Sequence, residues 1–315
     1  MSSRVRDAFW RLKKYFGIVV LFLIGFLFFG GLLFTIQENS KFLGALDFTV
    51  AATSSDATAI LEVGNTAPTV SNVVLNSNGA ITLIPNATTS FNISYTITDN
   101  NGCADIVTSG VTSTAFRSGV APTCAVPGPT TNNLNCYLYV TRTTSTCSGS
   151  SINATDTVQI YYFAQATDTS SSFPAENWQA FALAVDLANA TGSATSSAVQ
   201  LNTLLAIEVT TSSINYGTVI PGANTGLTNQ MTTVQNAGNA STSLRLSGTA
   251  LTLGVGSIAT SSQRYATSSF TFGGDEQLLS GTATEVTGFL LTSPTSTNAV
   301  SSIMYWGIGV PTGVS

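Results

Sequence analysis

Hydrophobic and polar residues alternate along many short segments of the chain after residue 66. In 91–98 the odd positions are Phe, Ile, Tyr and Ile, and the even positions are Asn, Ser, Thr and Thr. In 181–187 the odd positions are apolar with the same parity. A period of two is typical of strands that bury one face and expose the other. The pattern therefore predicts an all-β fold.

Strand-like segments recur at short intervals between residues 66 and 202. They are 70–75, 91–98, 111–117, 137–142, 157–162, 181–187 and 194–201. About seven strands in a span of this length suit an immunoglobulin-like (Ig-like) sandwich of two antiparallel sheets. The tryptophan that lies between the cysteines of antibody domains is absent here, so the prediction depends on the strand count alone.

A second group of strand-like segments follows Asn202. Its members are 204–209, 214–219, 231–235, 241–248, 269–272, 284–291 and 303–310. Turn residues such as Pro221 and Gly222 separate them. Because the linker is short, we expect two tandem sandwiches, 66–202 and 203–315, stacked end to end.

The N-terminal part of the chain has a different pattern. The segment 16–37 is apolar, and its 21 residues from Phe16 to Ile36 carry no charge. A helix of that length is roughly 31 Å long, which is enough to cross the hydrocarbon core of a bilayer. Five of the ten basic residues lie before it. By the positive-inside rule, residues 1–15 form a cytoplasmic stub, and the bulk of the chain is extracytoplasmic or on the cell surface.

A cleaved signal peptide is the alternative to this transmembrane helix. The apolar regions of signal peptides usually span about 7 to 15 residues and end at a small-x-small site. No such site follows at 35–38, although Ala45, Ala51 and Ala52 keep a later cleavage possible. We therefore expect an uncleaved single-pass anchor, followed by a stalk over 38–65.

The composition excludes several kinds of chemistry. The chain has no histidine, which excludes Ser-His-Asp and Cys-His nucleophile systems and histidine-containing zinc or haem sites. From residue 38 onward there are 5 basic and 14 acidic residues, a balance of 5 − 14 = −9. This balance argues against nucleic acid as a partner. Phosphate-loop, dinucleotide and nucleophile-elbow motifs are absent, and most acidic residues occur singly, so the sequence predicts a protein that is not an enzyme.

Four cysteines fall within one stretch of the predicted exported part. They are Cys103, Cys124, Cys136 and Cys147. An even number of cysteines in an oxidising compartment predicts two disulfides, and the absence of a CxxC pair disfavours structural zinc. Three pairings are possible. We favour Cys124 with Cys136, which closes the loop 122–135, and Cys103 with Cys147.

The segment around Cys103 contains candidate calcium ligands. Asp99, Asn101 and Asp105 are spaced as at the start of an oxygen-ligand calcium loop, but the downstream bidentate glutamate is missing. The alternative is a simple turn between strands, in which the Asn-Gly step at 101–102 provides positive φ. No other cofactor is expected.

Two tyrosines are candidates for ligand stacking. Tyr137 and Tyr139 share one face of a predicted strand. If exposed, they stack on sugar rings or on a protein partner; if buried, they fill the space between sheets. The exposed case corresponds to a carbohydrate-binding surface module, which is the alternative function.

The second group of segments also carries a resemblance to a known class of proteins. The segments 233–239 and 244–249 resemble the strand, Asn-x-Gly-Asn turn and strand of Ig-like modules in prokaryotic cell-surface proteins of the S-layer or adhesin type. The segments 213–222 and 305–311 resemble the entry and penultimate strands of those modules. The resemblance implies an Ig-like fold and a surface location. Such modules continue into one more strand, so we expect the second domain to lack its last strand and to have an open edge.

These observations together predict a structural or adhesive role. An uncharged, hydroxyl-rich surface with exposed strand edges suits packing against other molecules of the cell surface. The expected partners are the membrane, through the N-terminal helix, and other cell-surface proteins or glycans. Self-association through the open edge is a further expectation.

Overall fold

The computed structural model describes residues 45–52, 55–124, 133–253 and 256–314, with side chains from residue 60 onward except at 253. The predicted transmembrane helix 16–37 and the stub 1–15 lie outside the described residues. Within these ranges, no helix has the length and apolar character needed to cross a membrane. The chain divides into two compact units, 1–65 and 66–315.

The described part of the first unit contains a β-hairpin. Strand β1 (Ala45–Ala52) pairs antiparallel with β2 (Ser55–Glu62) over their whole length. This hairpin occupies much of the range predicted as a stalk.

Residues 66–202 form two four-stranded antiparallel sheets around one core. The strands are β3 (Thr69–Leu75), β4 (Thr88–Thr98), β5 (Thr112–Arg117), β6 (Cys136–Leu138), β7 (Thr141–Thr144), β8 (Ser151–Tyr161), β9 (Trp178–Val185) and β10 (Thr191–Thr195). One sheet has the order β3-β4-β8-β7 and the other β10-β9-β5-β6. Buried side chains from both sheets form one hydrophobic cluster, so the arrangement is sandwich-like.

The alternation in β4 has the predicted parity, but that in β9 is reversed. In β4, Phe91, Ile93 and Ile97 are buried. In β9 the buried residues are Trp178 and the alanines at 180, 182 and 184, whereas Phe181 and Leu183 are only half-buried. Small alanines on the inner face leave room for the larger side chains of the facing sheet in the same cluster.

Two predicted strands have different boundaries in the structure. The segment 137–142 is two strands, because β6 pairs with β5 in one sheet and β7 pairs with β8 in the other. The chain crosses between the sheets at Tyr139 and Val140, whose amides donate to Ser113 O and Thr157 O. The predicted strand 194–201 ends at Thr195 as part of β10, which spans 191–195.

Residues 203–314 contain a five-stranded sheet and two short two-stranded sheets. The strands are β11 (Ile207–Val209), β12 (Gln230–Asn236), β13 (Arg245–Leu246), β14 (Leu251–Leu253), β15 (Gly256–Ile258), β16 (Gln263–Ala266), β17 (Gln277–Leu278), β18 (Thr284–Glu285) and β19 (Ser301–Ile308). The large sheet has the order β11-β12-β19-β16-β17, while β13 pairs with β18 and β14 with β15.

Two segments of this second group that were predicted as strands are not strands. Residues 214–219 pair with no sheet in the described structure, although Ile214 and Tyr216 pack against the core. Residues 269–272 place two phenylalanine rings over glycines of the β19 region instead. A Cβ added to Gly307 or Gly309 would lie 3.1 Å from the Phe270 ring or 2.9 Å from the Phe272 ring. The alternation of polar residues and phenylalanine in 269–272 therefore reflects the packing of the two rings and not the pairing of a strand.

Side-chain and backbone hydrogen bonds join residues 66–202 to 203–314. Asn239 is buried; its Oδ1 accepts from Leu204 N at 2.7 Å, and its Nδ2 donates to Ala164 O at 2.9 Å. Thr203 donates to the Asp168 carboxylate from its amide and its hydroxyl. Burial acts to raise the pKa of Asp168, but the hydrogen bonds from Thr203, Ser170 and Ser171 together outweigh it and hold the pKa below its ordinary value.

The four cysteines form two disulfides. Cys103 pairs with Cys147 and Cys124 with Cys136, at sequence separations of 44 and 12. This is the pairing that the sequence favoured.

Removing the disulfide that closes the longer loop is expected to cost more stability than removing the one that closes the shorter loop. Because loop-closure entropy rises with the logarithm of loop length, Cys103→Ser with Cys147→Ser should cost about 1 kcal/mol more than Cys124→Ser with Cys136→Ser. Urea unfolding of the two double variants and the parent chain measures this difference. A larger loss of unfolding free energy when the Cys124–Cys136 bridge is removed would contradict this expectation.

Candidate functional site

Three aspartates meet at one end of the paired sheets of residues 66–202. Asp99 directly follows β4, Asp186 directly follows β9, and Asp105 ends the short 3-10 helix Cys103–Asp105. One carboxylate oxygen of each lies within 4.8 Å of those of the other two. Residues from three separate segments therefore form one acidic cluster, called here the Asp trio.

A tight turn holds Asp99 in place. Its amide donates to Ser150 O at 2.8 Å, and its Oδ1 accepts from the Asn101 amide at 2.8 Å. Gly102 has φ 106, a conformation that favours glycine. The adjoining disulfide and the hydrogen bond from Cys103 N to Gly149 O fasten this turn to the neighbouring loop.

Asp186 is fixed by the turn that leads from β9 to β10. Its Oδ1 accepts from the Ala190 amide at 2.7 Å, and its own amide donates to Ala190 O at 3.0 Å. Asn189 in the same turn has φ 65, which asparagine tolerates better than most residues. The Leu187 amide donates to Asp105 O at 2.9 Å, so this turn also positions the third member of the trio.

The electrostatic environment of the Asp trio is unfavourable for three negative charges. Asp99 and Asp186 are only 1% and 0% exposed. Burial, followed by the charges of Asp99 and Asp186, raises the pKa of Asp105 above its ordinary value. The ion pairs found among the described residues join Arg117, Arg142 and Arg264 to other acids.

One oxygen of the trio has no hydrogen-bond partner. Asp99 Oδ2 is buried and is not paired with any donor among the described residues. A buried carboxylate oxygen without a partner is costly. It is therefore an acceptor available to a ligand with positive charge.

The structure brings together two of the three predicted calcium ligands. Asp99 and Asp105 belong to the trio, but Asn101 serves another purpose: its Oδ1 accepts from the Thr66 amide and hydroxyl at 2.8 and 2.6 Å. Asp186 takes the third place, and sequence reasoning missed it as a solitary acid. The position of Asp186 in the sequence could have indicated its role, because it directly follows a strand and precedes a turn, as Asp99 does.

The two candidate stacking tyrosines do not form an exposed face. Tyr137 is fully buried, its ring centroid lies 6.0 Å from that of Trp178, and its hydroxyl donates to Asn133 O. The Tyr139 ring lies 4.1 Å from the Arg142 guanidinium carbon. Because the chain crosses from one sheet to the other at Tyr139, the side chains of Tyr137 and Tyr139 lie in different surroundings. Tyr137 fills the core and is not available to stack on a ligand.

A comparison with protein-family models and with curated proteins finds no match for this chain.

Proposed function

We propose that this chain is a membrane-anchored cell-surface protein with a structural or adhesive, non-catalytic role. In this proposal, residues 66–202 and 203–315 are two tandem Ig-like β-sandwiches that an N-terminal helix holds outside the membrane. The disulfides support the location, because such bonds persist in oxidising compartments. The hydrogen bonds of Asn239 to Ala164 O and of Thr203 to Asp168 support a rigid tandem, not two freely jointed domains.

The observation that carries the adhesive role is the apolar edge at β11. Val209 lies opposite Val234 in the pairing of β11 with β12, so the two share a face. Val234 is buried, yet Val209 is 52% exposed. Val209 also lines a cavity of about 400 Å³ together with Met304 and Trp306 of β19. The core is therefore open at this edge.

An open apolar edge favours addition of a further strand. Edge strands present unpaired backbone groups and readily accept another chain. The proposed occupant is the edge of a second copy of this protein, which gives assembly at the cell surface.

Substitution at the β11 edge is expected to prevent self-association. Val209→Lys places a charge at the open edge, so the full chain in detergent micelles should change from dimers or larger species to monomers in sedimentation velocity. Ile84→Lys is the matched control, because Ile84 is equally exposed at 52% but lies in the loop between β3 and β4. A parent chain that is strictly monomeric up to about 100 μM would contradict the assembly role.

The surface location has its own experiment. Protease added to intact cells that express the full chain should digest the part beyond residue 37, and a thiol reagent should label none of the four cysteines before reduction. Protection from protease together with reduced cysteines would overturn the proposed location.

A further inference from the structure

We infer that Asp99, Asp105 and Asp186 form a calcium-binding site. Three observations carry this inference: the spacing of the carboxylates, the unpaired oxygen of Asp99 and the chemistry of the available donors. The inference concerns the folded chain itself, and it holds or fails independently of where the protein is located and of whether it self-associates.

The spacing suits a single ion. Calcium binds oxygen ligands at about 2.3 to 2.6 Å, so two oxygens on opposite sides of one ion are about 5 Å apart and adjacent ones are closer. The carboxylate oxygens of the Asp trio lie within 4.8 Å of one another. One cation between them can therefore contact all three with small side-chain movements.

The buried oxygen of Asp99 points to a ligand independently of this spacing. Asp99 Oδ1 accepts from the Asn101 amide, whereas Oδ2 is buried without a donor among the described residues. Asp99 is also one of the three carboxylates that meet here, so folding has buried an oxygen within this acidic cluster without a hydrogen bond from any described residue. A bound divalent cation satisfies this oxygen and reduces the repulsion within the trio.

The donor set selects calcium among the common metal ions. All three side chains offer oxygen, the chain has no histidine, and the nearby Cys103 is in a disulfide. Zinc and copper prefer nitrogen and sulfur, whereas calcium and magnesium prefer oxygen. Magnesium requires near-ideal octahedral geometry, but calcium accepts irregular sites with several carboxylates. Three carboxylates on two turns and a 3-10 helix fit calcium better.

The site lies where it can order the entry of the chain into the first pair of sheets. Asn101, two residues after Asp99, holds both donors of Thr66. The turn after β9 contacts Asp105 through Leu187. An ion on the trio fastens these segments to one another, and so stabilises one end of this fold.

Calcium is expected to raise the thermal unfolding temperature of the full chain after removal of metals with a chelator. The midpoint of this effect should lie near 10⁻⁴ to 10⁻³ M free calcium, as in extracellular modules, and magnesium should have a smaller effect at equal concentration. Asp99→Asn and Asp186→Asn should each weaken calcium binding at least about tenfold. Without calcium both variants should remain folded, because each substitution removes a repelling charge.

Asp275→Asn is the matched control, since it makes the same chemical change at an exposed position away from the trio. This control should respond to calcium like the parent. Asp105→Asn, at the least buried member of the trio, replaces either variant that fails to fold. Absence of any calcium response up to 10 mM, or an equal response to magnesium that the trio variants retain, would overturn the inference.

Discussion

Replacing Arg142 with methionine is expected to lower the free energy of unfolding by about 3 to 5 kcal/mol. The reason is the buried carboxylate of Asp156, whose two oxygens accept from Arg142 Nε and Nη2 at 2.6 and 2.7 Å. The Asp156 side chain is 0% exposed. Without the guanidinium, a charged group remains in the core with no opposite charge among its described partners.

The same ion pair links the two sheets of residues 66–202. Asp156 on β8 also accepts from the hydroxyls of Tyr95 on β4 and Ser113 on β5, and β5 belongs to the opposite sheet. Arg142 Nη1 donates to Val111 O at 2.6 Å. Burial, reinforced by the Asp156 charge, raises the pKa of Tyr95, so its hydroxyl stays protonated and donates. The network therefore depends on the ion pair between Asp156 and Arg142.

A double variant separates the lost charge pair from lost packing. Adding Asp156→Asn to Arg142→Met removes the buried charge but keeps an oxygen for Tyr95 and Ser113. We expect it to recover about 2 kcal/mol relative to Arg142→Met alone. Urea unfolding followed by tryptophan fluorescence measures both changes. Arg245→Met is the control at an exposed strand position, where the change should stay within about 0.5 kcal/mol. A loss below 1 kcal/mol for Arg142→Met would contradict the proposed role.

The sequence predicts a strand best where the strand lies in a regular sheet and buries one of its two faces. The segment 91–98 alternates clearly, and it became part of β4, which is paired with β3 on one side and with β8 on the other. Alternation states that two faces differ, but it does not state which face is inside. In β9 the smaller residues face the core, because the space there is already filled by the opposite sheet.

Features that depend on contacts with residues far away in the sequence are harder to predict. The segment 137–142 has the composition of one strand, yet its two halves find partners in different sheets, since β5 and β8 both lie within reach. The acidic site has the same property. Asp186 is 81 residues beyond Asp105 (186 − 105), and only the meeting of the ends of β4 and β9 brings it to the other two carboxylates.

Gly238→Ala is expected to destabilise the contact between residues 66–202 and 203–314 by about 3 kcal/mol or more. A Cβ at this position would lie 2.0 Å from Leu204 O and 2.9 Å from Ala206 N. Both neighbours are backbone atoms that are held by hydrogen bonds, because Leu204 O accepts from Asn239 N at 3.0 Å and Ala206 O accepts from Ala237 N at 2.9 Å. The segment after Asn202 must therefore move as a whole.

Movement of this segment also breaks the bonds of the Asn239 side chain to Leu204 N and Ala164 O. Because the bond to Ala164 O connects residues 203–314 to 66–202, we expect scanning calorimetry of the full chain to show two separated transitions for Gly238→Ala, where the parent shows one. Asn239→Ala should act in the same direction by leaving the Leu204 amide and the Ala164 carbonyl without these partners. At Gly281 the nearest atom to an added Cβ is 4.0 Å away, so Gly281→Ala is the control and should leave the transition unchanged. If Gly238→Ala unfolds in one transition at the parent temperature, the contact does not couple the two parts.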